Sequence, residues 1–437
     1  MSEAKDQLSG RSGFGLYAQT AYNMSTMSSS EILYPRLRAV DTRPMVKNGQ
    51  PCLLLRDPLQ LTDKTLIIPQ QLAPVLALCD GTRENASAVS ASLAVRYGVR
   101  LSPGAIEQFL SALDEACLLD NAHFFQARDR ALAEYRQAPF RTPGLAGQSY
   151  PANADELHNL LQGYLDAVDD AEGSTTLAPR VSGLVSPHID FARGGPVYAR
   201  VWKRAADLVQ AADLAVVLGT DHYGEDKQLT LTRQHYATPY GVLPTARDVV
   251  EALAQAMGTE AAFAGELDHR SEHSIELAAV WLHHIRQGQP CELAPILCGS
   301  FGPFIRGEAD VERDPVIRAL SGAFQQATAG RRVVVVAAGD LSHVGPAFGG
   351  QPLDLVGRAR LQAADDELIE RMCHGDATGF LAAIQRTSDR NNVCGVPPIY
   401  LALRMLGAAQ GERVAHDLCP ADENGTSVVS ICGIVFR

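Results

Sequence analysis

Short apolar runs alternate with longer amphipathic stretches through most of this 437-residue chain, and this alternation restricts its possible folds more than any other feature. Five runs have the length and composition of buried strands and cover residues 181–185, 214–219, 293–297, 333–338 and 428–436. Stretches with helical spacing cover residues 196–210, 245–257, 272–286, 315–327, 355–372 and 397–408. Strands and helices that alternate in this way build a mainly parallel sheet with helices on both faces. We therefore predict an α/β domain over residues 147–437.

The chain ahead of this domain has three further parts. Residues 1–30 are rich in Ser, Gly and Thr without periodicity, which predicts a flexible tail. Residues 31–137 are predicted to form a small α+β domain. Its extended stretches cover residues 37–40, 52–56, 65–68 and 116–121. Its helical windows cover residues 70–78, 86–96, 103–116 and 122–142. Pro139, Pro143 and Gly144 then mark a linker over residues 138–146.

The small domain has a recognisable sequence pattern. The segment DGTRENASAVSASLAVRYGV, followed by IEQFLSALDEACLLD, resembles the winged-helix modules related to the PqqD peptide chaperone. Basic and acidic residues are equal in number within this domain, whereas a winged helix that reads DNA is normally basic. The charge balance therefore favours contact with a protein or peptide over contact with nucleic acid.

The overall charge and the cysteine content exclude several classes of protein. With 38 basic and 50 acidic residues the net charge is −12, which disfavours binding to nucleic acid or to an anionic membrane. No apolar run approaches the roughly 18 residues of a membrane span, and the N-terminus lacks the apolar core of a signal peptide. Nine cysteines are too few for a disulfide scaffold of this size. We expect a cytoplasmic protein.

Residues with metal-binding chemistry follow the predicted strands. His188 lies in SPHID after the first strand, and His222 lies in GTDHYG after the second. If these two strands are adjacent and parallel, both imidazoles lie at one edge of the sheet, where ligand sites of open α/β sheets are found. AGDLSH adds Asp340 and His343 after the fourth strand, and NNVCGVPP places Cys394 in a turn before a helix.

Two imidazoles and a thiolate are a ligand set suited to first-row transition metals. A single histidine at a strand end is more often a packed or hydrogen-bonded residue, but three of them in Gly-, Pro- or Asp-containing turns indicate a shared site. Three protein ligands also leave open coordination positions, which is typical of catalytic metal sites. We therefore predict a transition-metal site at this edge of the sheet.

Eight motifs, in order from residue 147 to the C-terminus, resemble the Memo family, also called AmmeMemoRadiSam system protein B. They are AGQSYPANADELHNLLQGYL, SPHIDFARGGPVYA, GTDHYG, TPYGVLP, EHSIELAAVWL, AGDLSHVG, NNVCGVPPI and NGTSVVSICGIVF. The resemblance covers about two thirds of the chain and implies a fold similar to the class III (LigB-type) extradiol dioxygenases.

The resemblance also implies roles for individual residues. The metal ligands of the family fall on His188, His222 and Cys394, and the acid–base histidine of the dioxygenases falls on His343. Asp340 is suited to orient His343 or to touch the metal. The dioxygenases hold iron with two histidines and a glutamate, so the cysteine is a departure that puts simple ring cleavage in doubt. The ligand set implies iron, with copper and zinc as alternatives.

Four further residues are candidates for the pocket or for contacts to the ligands. Glu272 and His273 match a family motif, although the same segment also resembles a helix start. Asp190 and Asp221 flank the predicted ligands and either accept hydrogen bonds from them or cap turns. Five other histidines lack a motif context and are predicted to be surface or hydrogen-bonded residues: His269, His283, His284, His374 and His416. Cys298 and Cys432 are predicted to be inert core thiols.

Two functions follow as expectations. The first is a metal-dependent oxidoreductase that acts on a small or peptide-borne aromatic substrate. The second is a non-catalytic scaffold that binds metal or peptide and works with radical-SAM and AMMECR-type proteins, the partners that the system name implies. A DNA-binding role for residues 31–137 is the weakest alternative because that domain carries no net charge. The chain has neither a P-loop nor a GxGxxG motif, so nucleotide binding is not indicated.

Overall fold

The structure, a computed structural model, describes residues 32–169, 181–224, 226 and 228–437. The tail predicted for residues 1–30 lies outside the described residues. Within them, no helix combines the length and the apolar character that a bilayer span needs.

The N-terminal unit contains a three-stranded antiparallel sheet in the order β1-β2-β3. The strands are β1 (Asp41–Lys47), β2 (Gln50–Arg56) and β3 (Thr65–Pro69). The helices are α1 (Ala73–Leu78), α2 (Ala86–Tyr97) and α3 (Pro103–Glu115). Capping explains where two of them begin: Asn85 accepts a hydrogen bond from the Ala88 amide, and Ser102 from the Ala105 amide. The predicted combination of a small sheet with helices is therefore present near the N-terminus, while its bounds as a domain and its winged-helix character stay predictions.

Two predicted strands of this unit differ from the structure. Residues 37–40 and 116–121 contribute only an isolated bridge between Leu37 and Leu119, while β1 begins at Asp41. The turn at Asn48 and Gly49, both with positive φ, explains the difference because it reverses the chain and pairs residues 41–47 with β2.

The segment that joins the two units is anchored in the second. Helix α4 (Ala122–Gln137) ends just before it. Arg141 is 1% exposed and forms a 2.5 Å ion pair with Glu276. Its guanidinium also donates to the backbone carbonyl groups of His269 and Glu272. The residues predicted as a linker therefore include a buried charge that is fully paired, as burial of an arginine requires.

The second unit alternates strands and helices. Its helices are α5 (Ala154–Asp166), α6 (Phe191–Arg204), α7 (Ala206–Ala211), α8 (Arg247–Met257), α9 (Thr259–Ala262), α10 (Ser274–Ile285), α11 (Gly302–Ile305), α12 (Pro315–Ala327), α13 (Leu355–Cys373), α14 (Ala377–Arg386) and α15 (Val396–Leu406). Its strands are β4 (Val181–Ser186), β5 (Leu214–Thr220), β6 (Leu229–Leu231), β7 (Tyr236–Thr238), β8 (Gly241–Leu243), β9 (Glu292–Cys298), β10 (Val333–Ala338), β11 (His343–Val344), β12 (Gly411–Pro420) and β13 (Val428–Phe436). Helix α6 begins ahead of the predicted residue 196 because Asp190 caps it.

Eight of these strands form one mixed sheet in the order β11-β13-β4-β10-β5-β9-β6, with β12 paired to β13. The four central strands β4, β10, β5 and β9 are parallel, and β6, β11, β12 and β13 pair antiparallel at the edges. Alternate residues of β5 pack into two different apolar cores, one on each face. The α/β prediction is confirmed, with antiparallel strands added at both edges.

The strand order differs from the prediction at the place that matters for the site. The strands before His188 and His222 were expected to be neighbours, but β10 lies between β4 and β5 and pairs with both. Ala338, the last residue of β10, lies level with Ser186 and Gly219. The carboxyl ends of β4, β10 and β5 therefore still lie at one edge of the sheet, and the AGDLSH loop lies between the loops that carry His188 and His222.

Candidate metal centre

The structure brings together the three predicted metal ligands at the carboxyl ends of β4 and β5 and the start of α15. One ligand atom from each of His188, His222 and Cys394 lies within 4.8 Å of the others. Cys394 Sγ is 3.3 Å from His188 Nε2, and the centroids of the two imidazole rings are 5.1 Å apart. Distances of this size allow one ion to contact all three groups after small movements of the side chains.

His188 is held by the loop that follows β10. Its ring is buried, and Nδ1 lies 3.0 Å from the carbonyl oxygen of Ala338. A carbonyl can only accept a hydrogen bond, so Nδ1 carries the proton and Nε2 is directed at Cys394. The backbone amide of His188 donates to Asp340 Oδ1 at 2.8 Å. Both contacts fix the ring in the orientation that a metal ligand needs.

Glu272 plays the corresponding part for His222. Its Oε2 atom accepts hydrogen bonds from both the backbone amide and Nδ1 of His222, each at 3.0 Å. Its Oε1 atom accepts the amides of His273 at 2.7 Å and of Ser274 at 3.0 Å. The carboxylate thus caps the start of α10 and orients a predicted metal ligand at the same time. The helix does start at this motif, but the serines and Glu276 do not cap it: Ser271 donates to the Pro58 carbonyl and Glu276 pairs with Arg141.

His273 lies beside the predicted ligands. Its ring stacks on that of His222 with centroids 4.9 Å apart and an angle of 15° between the planes, and its centroid is 5.5 Å from that of His188. Its Nδ1 atom is 3.0 Å from Glu272 Oε1. One carboxylate therefore contacts the Nδ1 atoms of two nearly parallel imidazoles, and the ring of His222 also bonds to Cys394.

Asp340 and His343 act on different parts of the centre. The Asp340 carboxylate accepts the amides of His188 and Ile189, and its backbone carbonyl accepts the amide of Gly395. It therefore joins the His188 turn to the Cys394 turn. The Nδ1 atom of His343 is 3.2 Å from the Leu341 carbonyl oxygen, and its ring meets Phe348 edge-on. The hydrogen bonds of Asp340 thus orient His188, whereas the ring of His343 bonds to Leu341.

Opposite charges in the centre shift the pKa values of its buried groups and oppose the effect of burial. Burial alone would raise the pKa of Cys394, but the neighbouring imidazoles of His188 and His343 lower it to about 5. Burial would lower the pKa of His188, but the thiolate and Asp340 raise it to about 9. Burial opposes ionisation of Glu272 as well, and the imidazoles of His222 and His273 hold its pKa well below the ordinary value. A thiolate is therefore available near neutral pH as a metal ligand.

The two flanking aspartates cap turns. Asp190 accepts the amide of Arg193 at 3.1 Å and pairs with its guanidinium, which starts α6. Asp221 accepts the amide of Tyr223 at 3.2 Å. Its pKa is raised to about 6 by burial and by the charge of Glu272. Of the two roles considered for these residues, the contacts of their carboxylates correspond to turn capping.

Two glycines that sequence reasoning passed over set the position of Cys394. A Cβ atom on Gly339 would lie 2.8 Å from the Cα atom of Gly395, and one on Gly395 would lie 2.5 Å from the Asp340 carbonyl oxygen. The turns therefore approach each other through bare backbone. The Thr220 hydroxyl also donates to the Cys394 carbonyl at 3.1 Å. The glycines within the AGDLSH and NNVCGVPP motifs were the available signal.

Other histidines and cysteines match their predictions. His269 is buried and bonds to the Tyr236 hydroxyl at 2.6 Å and the Thr230 carbonyl at 3.0 Å. The further ones with hydrogen-bond partners are His283, His284, His374 and His416. Cys298 and Cys432 are fully buried, and burial raises the pKa of each thiol. Burial and a raised pKa both disfavour reaction of these thiols at neutral pH.

A mixed α/β sheet that gathers two imidazoles and a thiolate at the ends of its parallel strands defines a candidate metal-binding α/β protein. The family model for Memo-like proteins matches residues 141–435, and the chain belongs to the Memo family. A MEMO1 family protein of Methanopyrus kandleri is 27% identical over 311 residues, which span 68% of this chain and 99% of the relative. One of Aquifex aeolicus is 24% identical over 409 residues, 92% of this chain and 99% of the relative.

Proposed function

We propose that this chain holds a transition metal, with iron as the first choice and copper or zinc as alternatives, and acts as a metal-dependent oxidoreductase on a small or peptide-borne aromatic substrate. The ligands are His188 Nε2, His222 Nε2 and Cys394 Sγ. The observation that carries the proposal is the approach of these ligands to within 4.8 Å of one another at the edge of the sheet.

The residues around the centre fit such an ion. A thiolate with two imidazoles suits iron, copper or zinc better than magnesium or calcium. Each histidine ligand donates its second ring N–H to an oxygen acceptor, Ala338 for His188 and Glu272 for His222, as metal-ligating histidines generally do. When bound, the ion would supply Lewis acidity and, if it is iron or copper, redox chemistry as well.

His343 is the residue proposed to move a proton. Its Nδ1 atom donates to the Leu341 carbonyl, so Nε2 is the atom that accepts a proton from a substrate hydroxyl group and returns it later. His273, with Nδ1 held by Glu272, lines the pocket and orients the substrate through Nε2. Asp340 keeps the His188 and Cys394 turns together during this chemistry.

Elemental analysis of protein purified without oxygen tests the metal site. We expect about one metal ion per chain in the wild type and none in His188→Ala or Cys394→Ala. The matched control is Cys373→Ala, which removes another partly exposed thiol, on α13, and should keep the metal. Metal retained in both ligand variants would contradict the site.

The second candidate is a non-catalytic scaffold that binds metal or peptide. The thiolate in place of a carboxylate favours it, and so does the N-terminal unit, whose Arg43 interacts electrostatically with Tyr223 next to His222. Its partners would be a small molecule or peptide and proteins of the radical-SAM and AMMECR types. Oxygen uptake by iron-loaded protein with a panel of catechols and peptides separates the two. Sustained turnover supports the enzyme, and tight peptide binding without turnover supports the scaffold.

A further inference from the structure

A short loop of the N-terminal unit, residues 57–61, is built around one buried carboxylate. The side chain of Asp57 is 0% exposed. Its Oδ1 atom accepts the Leu59 amide and Nη1 of Arg38, each at 3.0 Å, and its Oδ2 atom accepts the Leu61 amide at 2.8 Å. Because one carboxylate holds both amides and a guanidinium, the loop is a rigid part of its unit.

The loop presents its carbonyl groups to the α/β unit. Ser271 Oγ donates to the Pro58 carbonyl at 3.1 Å. Nη2 of Arg270 donates to the carbonyl groups of Leu59 and, at 3.1 Å, Gln60. Three consecutive residues of the loop are therefore bonded to two consecutive residues of the other unit.

These two residues directly precede the carboxylate that orients the metal centre. Glu272 follows Ser271, and its side chain is only 3% exposed. Pro58 and Leu59 line a narrow crevice together with Glu272 and Asp221, so the loop covers the carboxylate from outside. A hydrogen bond to a carboxylate is stronger where water is excluded. The cover therefore strengthens the hold of Glu272 on the imidazoles of the site.

We infer that the loop of residues 57–61 positions Glu272, and through it His222, so that the N-terminal unit sets the metal affinity of a site in the other unit. The inference rests on the proposed metal site. Nearly the whole of the Methanopyrus relative aligns with 68% of this chain, whereas the Aquifex relative aligns with 92% of it, so a Memo-family chain can be complete over the shorter length. By thermodynamic linkage, a ligand that moves this unit changes metal affinity, and metal changes the affinity for that ligand by the same factor.

Titration of the full-length protein with Co²⁺ tests the inference. Asp57→Asn keeps the shape of the side chain but replaces one acceptor oxygen by an amide donor, which the loop amides and Arg38 oppose. We expect its Co²⁺ affinity to fall about 10-fold or more, the usual cost of disturbing a group that orients a metal ligand. The matched control is Asp63→Asn, the same change at a nearby exposed position, which should bind Co²⁺ as the wild type does.

A second pair of variants tests the contact from the other side. Ser271→Ala removes the hydroxyl that donates to Pro58 and should lower Co²⁺ affinity, while Ser271→Thr keeps a hydroxyl and should restore it. If both positions act through one contact, the double variant Asp57→Asn/Ser271→Ala loses less affinity than the two single losses combined. The thiolate-to-cobalt absorption from Cys394 should persist in every variant, while the ligand-field bands shift as His222 reorients.

The outcomes separate the two proposals. Failure of the wild type to bind Co²⁺ contradicts the metal site itself. If the wild type binds and both Asp57→Asn and Ser271→Ala bind equally well with unchanged spectra, the metal site stands and the coupling is overturned. If Asp57→Asn does not fold, Ser271→Ala and its threonine counterpart decide the question, since each changes one small, partly buried side chain.

Discussion

Glu272 shows how much one residue of this protein controls. Its carboxylate accepts the backbone amides of His222, His273 and Ser274 together with the Nδ1 atoms of the two histidines. A carboxylate is an acceptor only, so both imidazoles must turn an N–H toward it. One buried side chain thereby sets the tautomer and orientation of two rings and the start of α10.

The chemistry of Cys394 yields a prediction at the same scale. Because its pKa is lowered to about 5, the thiol is ionised above that pH and should react with iodoacetamide at about pH 6 in metal-free protein. Labelling should fall as the pH drops below 5, and bound Zn²⁺ should block it. Mass spectrometry of the peptides measures the rate, with the buried Cys298 and Cys432 as unreactive internal controls.

Two labelling results would contradict this prediction. If Cys394 reacts no faster than the buried thiols, or if Zn²⁺ leaves its rate unchanged, the thiolate is not part of a metal centre. His188→Ala should raise the pH at which labelling begins, because it removes the imidazole that most lowers the thiol pKa.

At the scale of elements, the contact between the turn after β10 and the start of α15 brings Cys394 to the histidines. Gly339 and Gly395 allow it because neither carries a Cβ atom. The turn after β10 supplies Asp340 and the turn before α15 supplies the thiol, so the two turns must meet at backbone distance for the site to form.

Substitution of Gly395, which lies in this contact, gives the second prediction. Gly395→Ala places a methyl group 2.5 Å from the Asp340 carbonyl oxygen and should lower the free energy of unfolding by about 1–3 kcal/mol, with weaker metal binding. Gly322→Ala is the control: it lies in α12 with no atom within 4 Å of the added methyl group, and it should raise stability by about 0.5–1 kcal/mol. Urea unfolding measures both, and equal effects would contradict the close approach.

At the scale of the whole molecule, the two units share buried polar contacts that make stability depend on pH. Arg141 and the loop of residues 57–61 join them through paired charges and hydrogen bonds. His269 lies in this region with both ring nitrogens bonded, to Tyr236 and to the Thr230 carbonyl. Burial lowers its pKa from 6.5 to about 3, so the folded protein keeps this ring neutral.

The third prediction follows from the sign of that shift. Between about pH 3 and 6.5 the unfolded chain binds a proton at His269 that the folded protein does not. The stability that the neutral ring contributes is therefore complete above pH 6.5 and is lost as the pH falls. From pH 7 to pH 5 the free energy of unfolding should fall by about 2 kcal/mol more in the wild type than in His269→Gln. Parallel urea-unfolding results for the two proteins would contradict it.

Local sequence patterns were sufficient to predict much of the fold and of the candidate site. The periodicity of apolar residues predicted the central strands and most helices, and the motifs at the strand ends predicted the residues that meet at the centre. Strand order was not predictable in the same way. The runs that form β4, β5 and β10 are all short, apolar and rich in valine, so nothing in their sequence tells which two are neighbours.

The sequence by itself determined the α/β class, the metal-binding residue types and their place at the strand ends, because these depend on local spacing. Only the tertiary structure decided that β10 separates β4 from β5, that Glu272 contacts two imidazoles, and that a loop of the N-terminal unit lines a crevice with Glu272. Such contacts join residues far apart in the chain, and their energies depend on burial and geometry that local spacing does not contain.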